Sequence, residues 1–252
     1  MHNVFQRFFR SVWPDVKFYA AVLGVFLAFR TTAYATYNIP SESMLPTLAV
    51  GDFIVVNKFA YGYSRHSLPF SLAPDFATES GRILERLPAR GDVVVFKHPR
   101  TLETYIKRVV ALPGDVVEIV GGRVILNGDA VPLEPLDAYR YREQRGGVAD
   151  VVRYAETLEA NDRHDIIDRG VGYSGDDFGP AAVPPNHLFV MGDNRDNSLD
   201  SRFKEGVGFL PFGHVVGKAE RIMFSVNACR AEPGLECLKR PVFGALASPS
   251  GD

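Results

Sequence analysis

The chain has 252 residues, 46% hydrophobic and 23% charged, enough to bury an ordinary core and too apolar for a disordered chain. Its formal net charge of −2, with no lysine-rich or arginine-rich tract, excludes the electrostatic footprint of a nucleic-acid binder. Its two cysteines, Cys229 and Cys237, lack CxxC spacing, which excludes a zinc ribbon or thioredoxin-type site and leaves either a small disulfide loop or two thiols.

The first informative segment is FYAAVLGVFLAF, Phe18 to Phe29, uncharged and preceded by Arg7, Arg10 and Lys17 against one acid, Asp15. Continued through TTAYATY to Tyr37, with Arg30 snorkelling, it reaches the length of a bilayer span. The expectation is a cytoplasmic segment 1–15, with residues 2–13 as an amphipathic helix on the inner surface, and one transmembrane anchor over 16–37. A cleavable leader is the alternative, given the basic start, the short apolar run and an A-x-A sequence at Ala33, Tyr34 and Ala35. The long basic segment and the charge of Arg30 favour a retained anchor. Either way the basic flank stays in the cytoplasm, so everything after Tyr37 lies across the membrane.

Beyond residue 38 the pattern is strand-like. DFIVVNKF, DVVVFKHP, TYIKRVVAL, DVVEIV, RVILNGDAV, HLFVMGD and HVVGKAERIMFSV are β-branched runs, punctuated by turn dipeptides at Pro113-Gly114, Gly121-Gly122 and Asn127-Gly128. No long helical period appears after the anchor. This predicts a mostly β fold: an antiparallel, barrel-like domain over 38–132 and 187–228, with an inserted smaller lobe at 133–186 and a C-terminal tail at 229–252. Within the lobe, VVRYAETL and RHDIID read as strands. The Ser/Pro/aromatic-rich stretch 61–89 reads as a long loop or extended hairpin.

HExxH, G-x-S-x-G and P-loop motifs are absent, and no metal site or cofactor is expected. The six histidines are scattered, so a hydrolytic serine needs another base. Lys107, in ETYIKRVVALPGD, is the candidate: strand alternation puts Tyr105, Lys107 and Val109 on one face and Ile106, Arg108 and Val110 on the other. Such a lysine is either an exposed edge residue that blocks aggregation or an inward one whose pKa is lowered by burial. Ser43, in IPSESMLPTLAVGDFIVV, offers the hydroxyl. Pro40 and Pro46 restrict the backbone around it, although a plain turn before a strand also accounts for SESMLP.

Four stretches, in order, carry a resemblance: IPSESMLPTLAVGDFIVVNKFAYG, RGDVVVFKHP, YIKRVVALPGD and GDNRDNSLDSR. Together they make the chain similar to the type I signal peptidases, membrane serine proteases with a Ser/Lys dyad that remove leader peptides. The resemblance implies Ser43 as nucleophile and Lys107 as general base. Ser41 would join the Ser43 backbone N–H in the oxyanion hole. It implies that Ser198 hydrogen-bonds the lysine amine, and that Asp193 pairs with Arg108 and Asp200 with Arg202 to brace the dyad. Gly192 would permit close packing beside the site. Small residues are common between the two serines of such enzymes, so the Glu42 side chain is expected to point to solvent. Two shallow apolar pockets for small residues would be lined by Ile39, Pro40, Met44, Leu48, Tyr105 and Ile106, with Tyr37, Ile54 and Val95 deeper, accepting an extended peptide ending in A-x-A.

The implied partners are signal peptides of secretory preproteins and the lipid bilayer, with the export machinery as a further candidate. The implied location is the bacterial inner membrane, single-pass, with the catalytic domain on the extracytoplasmic side. The chain departs from many relatives in having FKEGVGFLP after GDNRDNSLDSR and one anchor where some have two. Two alternatives stand beside a general leader peptidase: a dedicated maturation peptidase for pilus or conjugation proteins, usually shorter and without the 133–186 lobe, and a non-catalytic membrane-tethered β binding domain.

Overall fold

The computed structural model describes residues 13–26, 33–67, 78, 80–159, 162–226 and 244–245. The apolar runs become strands because alternation gives each one a side to bury. β1 (Tyr34–Asn38) and β2 (Asp52–Asn57) flank the Ser43 turn, and β3 (Tyr63–Ser64) pairs antiparallel with β4 (Arg82–Ile83). Then come β5 (Val93–Lys97), β6 (Thr104–Ala111), β7 (Val116–Val120), β8 (Arg123–Leu126) and β9 (Asp129–Ala130). The lobe supplies β10 (Leu133–Arg142), β11 (Val148–Glu159) and β12 (Asp162–Asp168), after which β13 (Phe178–Ala182) pairs with β7. The chain returns through β14 (His187–Met191), β15 (Leu210–Pro211), β16 (Val215–Ser225) and β17 (Gly244–Ala245).

The main sheet is eight-stranded, in the order β1-β2-β16-β5-β6-β14-β15, with β17 on β16. It curls as a half-barrel and stays open, since among the described residues no pairing joins β1 to β15. Alternation along β5 divides its side chains between two cores. Val95 packs with Ile54, Val56, Ile106 and Val216, and Val94 and Phe96 pack with Val109, Val190 and Phe212. β6 therefore has core on both faces, which is why Lys107 and Arg108, pointing opposite ways, are both buried.

The turn dipeptides act as their chemistry demands. Gly121 and Gly122 (φ 54° and 81°) join β7 to β8, and Asn127 and Gly128 (φ 55° and 92°) join β8 to β9, the double positive φ of a type I′ hairpin.

In the lobe, β10, β11 and β12 form their own antiparallel sheet. Its apolar face, with Tyr139, Tyr141, Ala149, Val151 and Ile167, packs on Leu45 and Ala49, so it shares a core with the segment that carries Ser43. β10 is a strand that the sequence reading missed: LEPLDAYRYR exposes most of its side chains, so its apolar content is low, and only Tyr139 and Tyr141 face inward.

The N-terminal expectation needs correction. Residues 13–26 are helical, and among the described residues no helix is long and apolar enough to cross a membrane. The last residues assigned to the 16–37 anchor are strand: Tyr34 to Asn38 pair with Asn57 to Phe53 of β2. The alternation of YATYN matches the exposed edge of a sheet, a pairing that only the distant β2 reveals. The A-x-A sequence at 33–35 thus enters β1, where Ala35 is opposite Val56. Residues 1–12, 27–32 and both cysteines lie outside the described residues.

Candidate active site

Met44 and Leu48, both fully buried, hold the turn after Pro40 against the main core, and this presents Ser43 towards β6. Across the turn, Lys107 Nζ donates to Ser43 Oγ at 2.6 Å and to Ile106 O at 3.0 Å. Lys107 is only 4% exposed. Burial pushes its pKa down to about 8; Asp200 and Asp193 pull upward, and Arg202 pushes further down. Ser41 Oγ lies 3.4 Å from Ser43 Oγ, on the same polar edge.

The segment after β14 forms the other wall. Arg108 grips Asp193 with two bonds, Nε to Oδ1 at 2.8 Å and Nη2 to Oδ2 at 2.7 Å, and also donates to Gly91 O at 2.7 Å. Thr47 Oγ1 donates to the same carboxylate at 2.5 Å, so the pair is tied to the nucleophile turn. Burial raises the Asp193 pKa, but Arg108 outweighs it and holds the carboxyl below its ordinary range. Asp200, fully buried, accepts from Arg202 Nε at 2.9 Å, from Gly192 N at 3.0 Å and from Ser198 Oγ at 2.7 Å.

Two expectations are corrected at this point. Ser198 gives its proton to Asp200, a stronger acceptor than an amine, and Lys107 takes Ser43 and Ile106 O as its partners. Glu42 does not point to solvent. It is 9% exposed, with Oε1 accepting from Gln144 N at 2.5 Å and Oε2 from Asn197 Nδ2 at 3.1 Å, and burial leads the causes that raise its pKa. Sequence reasoning had no signal for this, since Gln144 is 102 residues away.

Asn194 was also missed as a positioning group. Its backbone N–H donates to Ser43 O at 3.1 Å, and its side chain donates to Glu42 O at 3.1 Å and Tyr141 Oη at 2.9 Å. Asn is well suited to such clamping because its amide donates twice, and the GDNRDN stretch was the available hint. Gly192 is required by contact alone: a Cβ there would lie 2.3 Å from Ser198 Oγ and 2.5 Å from Ser43 O.

A cleft of about 700 Å³ opens over Ser43 and Lys107, lined also by Pro40, Tyr105, Ile106 and Ser198. Of the residues expected to form substrate pockets, Pro40, Tyr105 and Ile106 line this cleft. Ile39, Met44, Leu48, Ile54 and Val95 sit in the core beneath it, with Tyr37 packed against that core. Among the described residues, no group of three or more His, Cys, Asp or Glu side chains is arranged to hold a metal ion.

A buried amine in contact with one hydroxyl, beside a polar edge and an open cleft, is suited to acyl transfer. A family model described as signal peptidase, peptidase S26, matches residues 13–224. Signal peptidase I of Pseudomonas fluorescens is 38% identical over 218 residues, covering 83% of this chain and 71% of that protein. Signal peptidase I of Rickettsia typhi is 31% identical over 237 residues, covering 86% and 82%. A crystal structure of a signal peptidase I from Enterococcus faecalis V583 is 25% identical, covers 53% of this chain and 97% of that one, and superposes with a TM-score of 0.31. With most of its length inside one family model, the chain belongs to the signal peptidase family, peptidase S26.

Proposed function

We propose that this chain is an endopeptidase that removes N-terminal signal peptides from exported proteins, with Ser43 as nucleophile and Lys107 as general base. The single observation that carries the mechanism is the 2.6 Å contact between a buried lysine amine and the serine hydroxyl. When Lys107 is neutral, that bond reverses and Ser43 O–H donates to the Nζ lone pair. Ser43 Oγ then attacks the scissile carbonyl carbon as its proton passes to Nζ. The Ser43 N–H and the Ser41 hydroxyl face the developing oxyanion, donors of a kind typically worth about 3 kcal/mol each.

Collapse of the tetrahedral adduct breaks the C–N bond, and the Lys107 ammonium returns a proton to the leaving amine. Lys107, neutral again, deprotonates a water that attacks the Ser43 ester; cleavage of the ester restores the serine hydroxyl and frees the signal-peptide carboxylate. Asp193 with Arg108, and Asp200 with Arg202 and Ser198, hold the walls that fix this geometry.

The cleft suits an extended peptide with small side chains, because Pro40, Tyr105 and Ile106 border it while the deeper apolar residues already fill the core beneath. Signal peptides ending in A-x-A meet that requirement. Membrane anchorage completes the reading. The helix 13–26 exposes Trp13, Phe18, Tyr19, Leu23, Val25 and Phe26, an apolar surface that a bilayer would cover, with the catalytic domain on the extracytoplasmic side. A non-catalytic tethered domain has no use for a desolvated lysine, whose burial opposes folding.

The test is incubation of the purified full chain with a precursor ending in A-x-A. Wild type should cut after the second alanine, and Ser43→Ala and Lys107→Ala should not; full cleavage by either variant would rule out the dyad. Co-sedimentation with lipid vesicles tests the anchor, and recovery of the chain only in the supernatant would remove it.

A further inference from the structure

The lobe's β10–β11 hairpin reaches back over the nucleophile turn and bonds to it with polar groups on both sides of Ser41. Gln144, at the exposed hairpin tip, donates its backbone N–H to Glu42 Oε1 at 2.5 Å and its side-chain Nε2 to Pro40 O at 2.8 Å. The other Glu42 oxygen accepts from Asn197 Nδ2 at 3.1 Å, in the 3-10 turn Arg195–Asn197 that immediately precedes Ser198. One carboxylate thus joins three separate segments, and it belongs to the residue directly before Ser43. Beneath it, Leu45 and Ala49 are packed under the lobe's Tyr139, Tyr141 and Val151.

We infer that Glu42 is a positioning residue for the proposed reaction, clamping the lobe tip and the Asn197 turn so that Ser43 Oγ stays in line with Lys107, and that the lobe is part of the catalytic apparatus for that reason. The inference rests on the Ser43/Lys107 reading. The physical argument is one of freedom. The two peptides flanking Ser43 are fixed at their carbonyls by Asn194, which bonds both Glu42 O and Ser43 O. The Glu42 carboxylate is a restraint on the opposite side, alongside the Gln144 Nε2 bond to Pro40 O. Without it the turn can rock about the Asn194 bonds, which moves Ser43 Oγ relative to Nζ while leaving the apolar core intact. Misplacement of about 1 Å costs catalysis on the order of a hundredfold.

Steady-state cleavage of an A-x-A precursor is measured for wild type, Glu42→Gln, Glu42→Ala, Gln144→Ala, Asn197→Ala and the Glu42→Ala/Asn197→Ala double variant, with Ser43→Ala as reference and thermal unfolding recorded for each. The carboxamide of Glu42→Gln can satisfy one donor but presents an N–H to the other. The expected result is a kcat lowered on the order of tenfold to a hundredfold for Glu42→Ala, less for Glu42→Gln, with KM within about twofold and unfolding within a few degrees of wild type. The double variant should lose no more than Glu42→Ala alone, because both changes open one clamp. Unchanged kcat in the Glu42 variants, with Ser43→Ala inactive, overturns the inference and leaves the dyad standing. So does a loss that follows only the fraction of folded protein, or full activity in Asn197→Ala, which removes a donor to the Glu42 carboxylate, should Glu42 variants fail to fold. Activity in Ser43→Ala overturns both.

Discussion

Lys107 Nζ meets Ser43 Oγ at 2.6 Å from a strand with core on both of its faces. The two requirements of a lysine base, contact with the hydroxyl and loss of its proton near neutrality, thus have one cause in the packing of β6.

The first consequence is a pH profile. With the amine pKa lowered to about 8, roughly a tenth of molecules carry the neutral base at pH 7. The rate constant kcat/KM should rise with pH, climbing about tenfold per unit below 8 and levelling above it. Lys107→Arg should be inactive at every pH, because a guanidinium does not deprotonate in this range. A flat profile between pH 6 and 9, or activity in Lys107→Arg, would contradict a neutral-amine base.

The same burial costs stability. A lysine whose folded pKa lies below its unfolded one binds fewer protons when folded, so folding is opposed below about 8 and the penalty disappears as pH rises towards 10.5. A shift of this size corresponds to about 3 kcal/mol at neutral pH, reduced by the lost bond to Ser43. Lys107→Met, similar in length and uncharged, should be inactive yet more stable than wild type at pH 7, and the difference should shrink as pH rises to 10. Urea unfolding at the two pH values measures this. A variant less stable than wild type at pH 7 would show that the lysine is better solvated than its burial implies.

The main strands were legible because apolar alternation reports on local burial, and their turns because Gly and Asn occupy positive-φ positions. The Ser43–Lys107 contact was not legible from spacing, since 64 residues separate the pair; it came from motif likeness. What escaped shares a physical feature: its meaning lies in a distant partner. YATYN looks like the end of an apolar segment until β2 pairs with it, LEPLDAYRYR hides two inward tyrosines among charges, and Glu42 looks like a surface acid until the lobe closes over it.

Gly192 tests the tolerance of the site wall. A methyl at this position would press on Ser198 Oγ and on Ser43 O at distances no Cβ tolerates. The backbone oxygen cannot yield without moving Ser43. Gly192→Ala should therefore lower kcat on the order of a hundredfold and cost about 1–3 kcal/mol of stability, as overpacking does. Near-wild-type turnover would mean that the turn and the β14 end are looser than their contacts indicate.

The Arg108–Asp193 pair separates bracing from chemistry. Both side chains are buried, and Thr47 Oγ1 binds the same carboxylate, so Asp193→Leu would strand a guanidinium without its counter-charge. Breaking a buried pair from one side costs about 3–5 kcal/mol. Replacing both members with apolar residues, Arg108→Met with Asp193→Leu, removes the stranded charge and should recover much of that loss. Turnover should not recover with it, because the tie from Asp193 to the nucleophile turn through Thr47 is gone and Ser43 loses one of its fixed neighbours. The depressed Asp193 pKa adds a pH dependence of known sign: its contribution is present above the ordinary carboxylate range and is lost as pH falls through the folded value. Wild type should thus lose more stability on acidification below pH 4 than the double variant, as urea midpoints would record. Full recovery of turnover in the double variant would show that the pair supports folding alone.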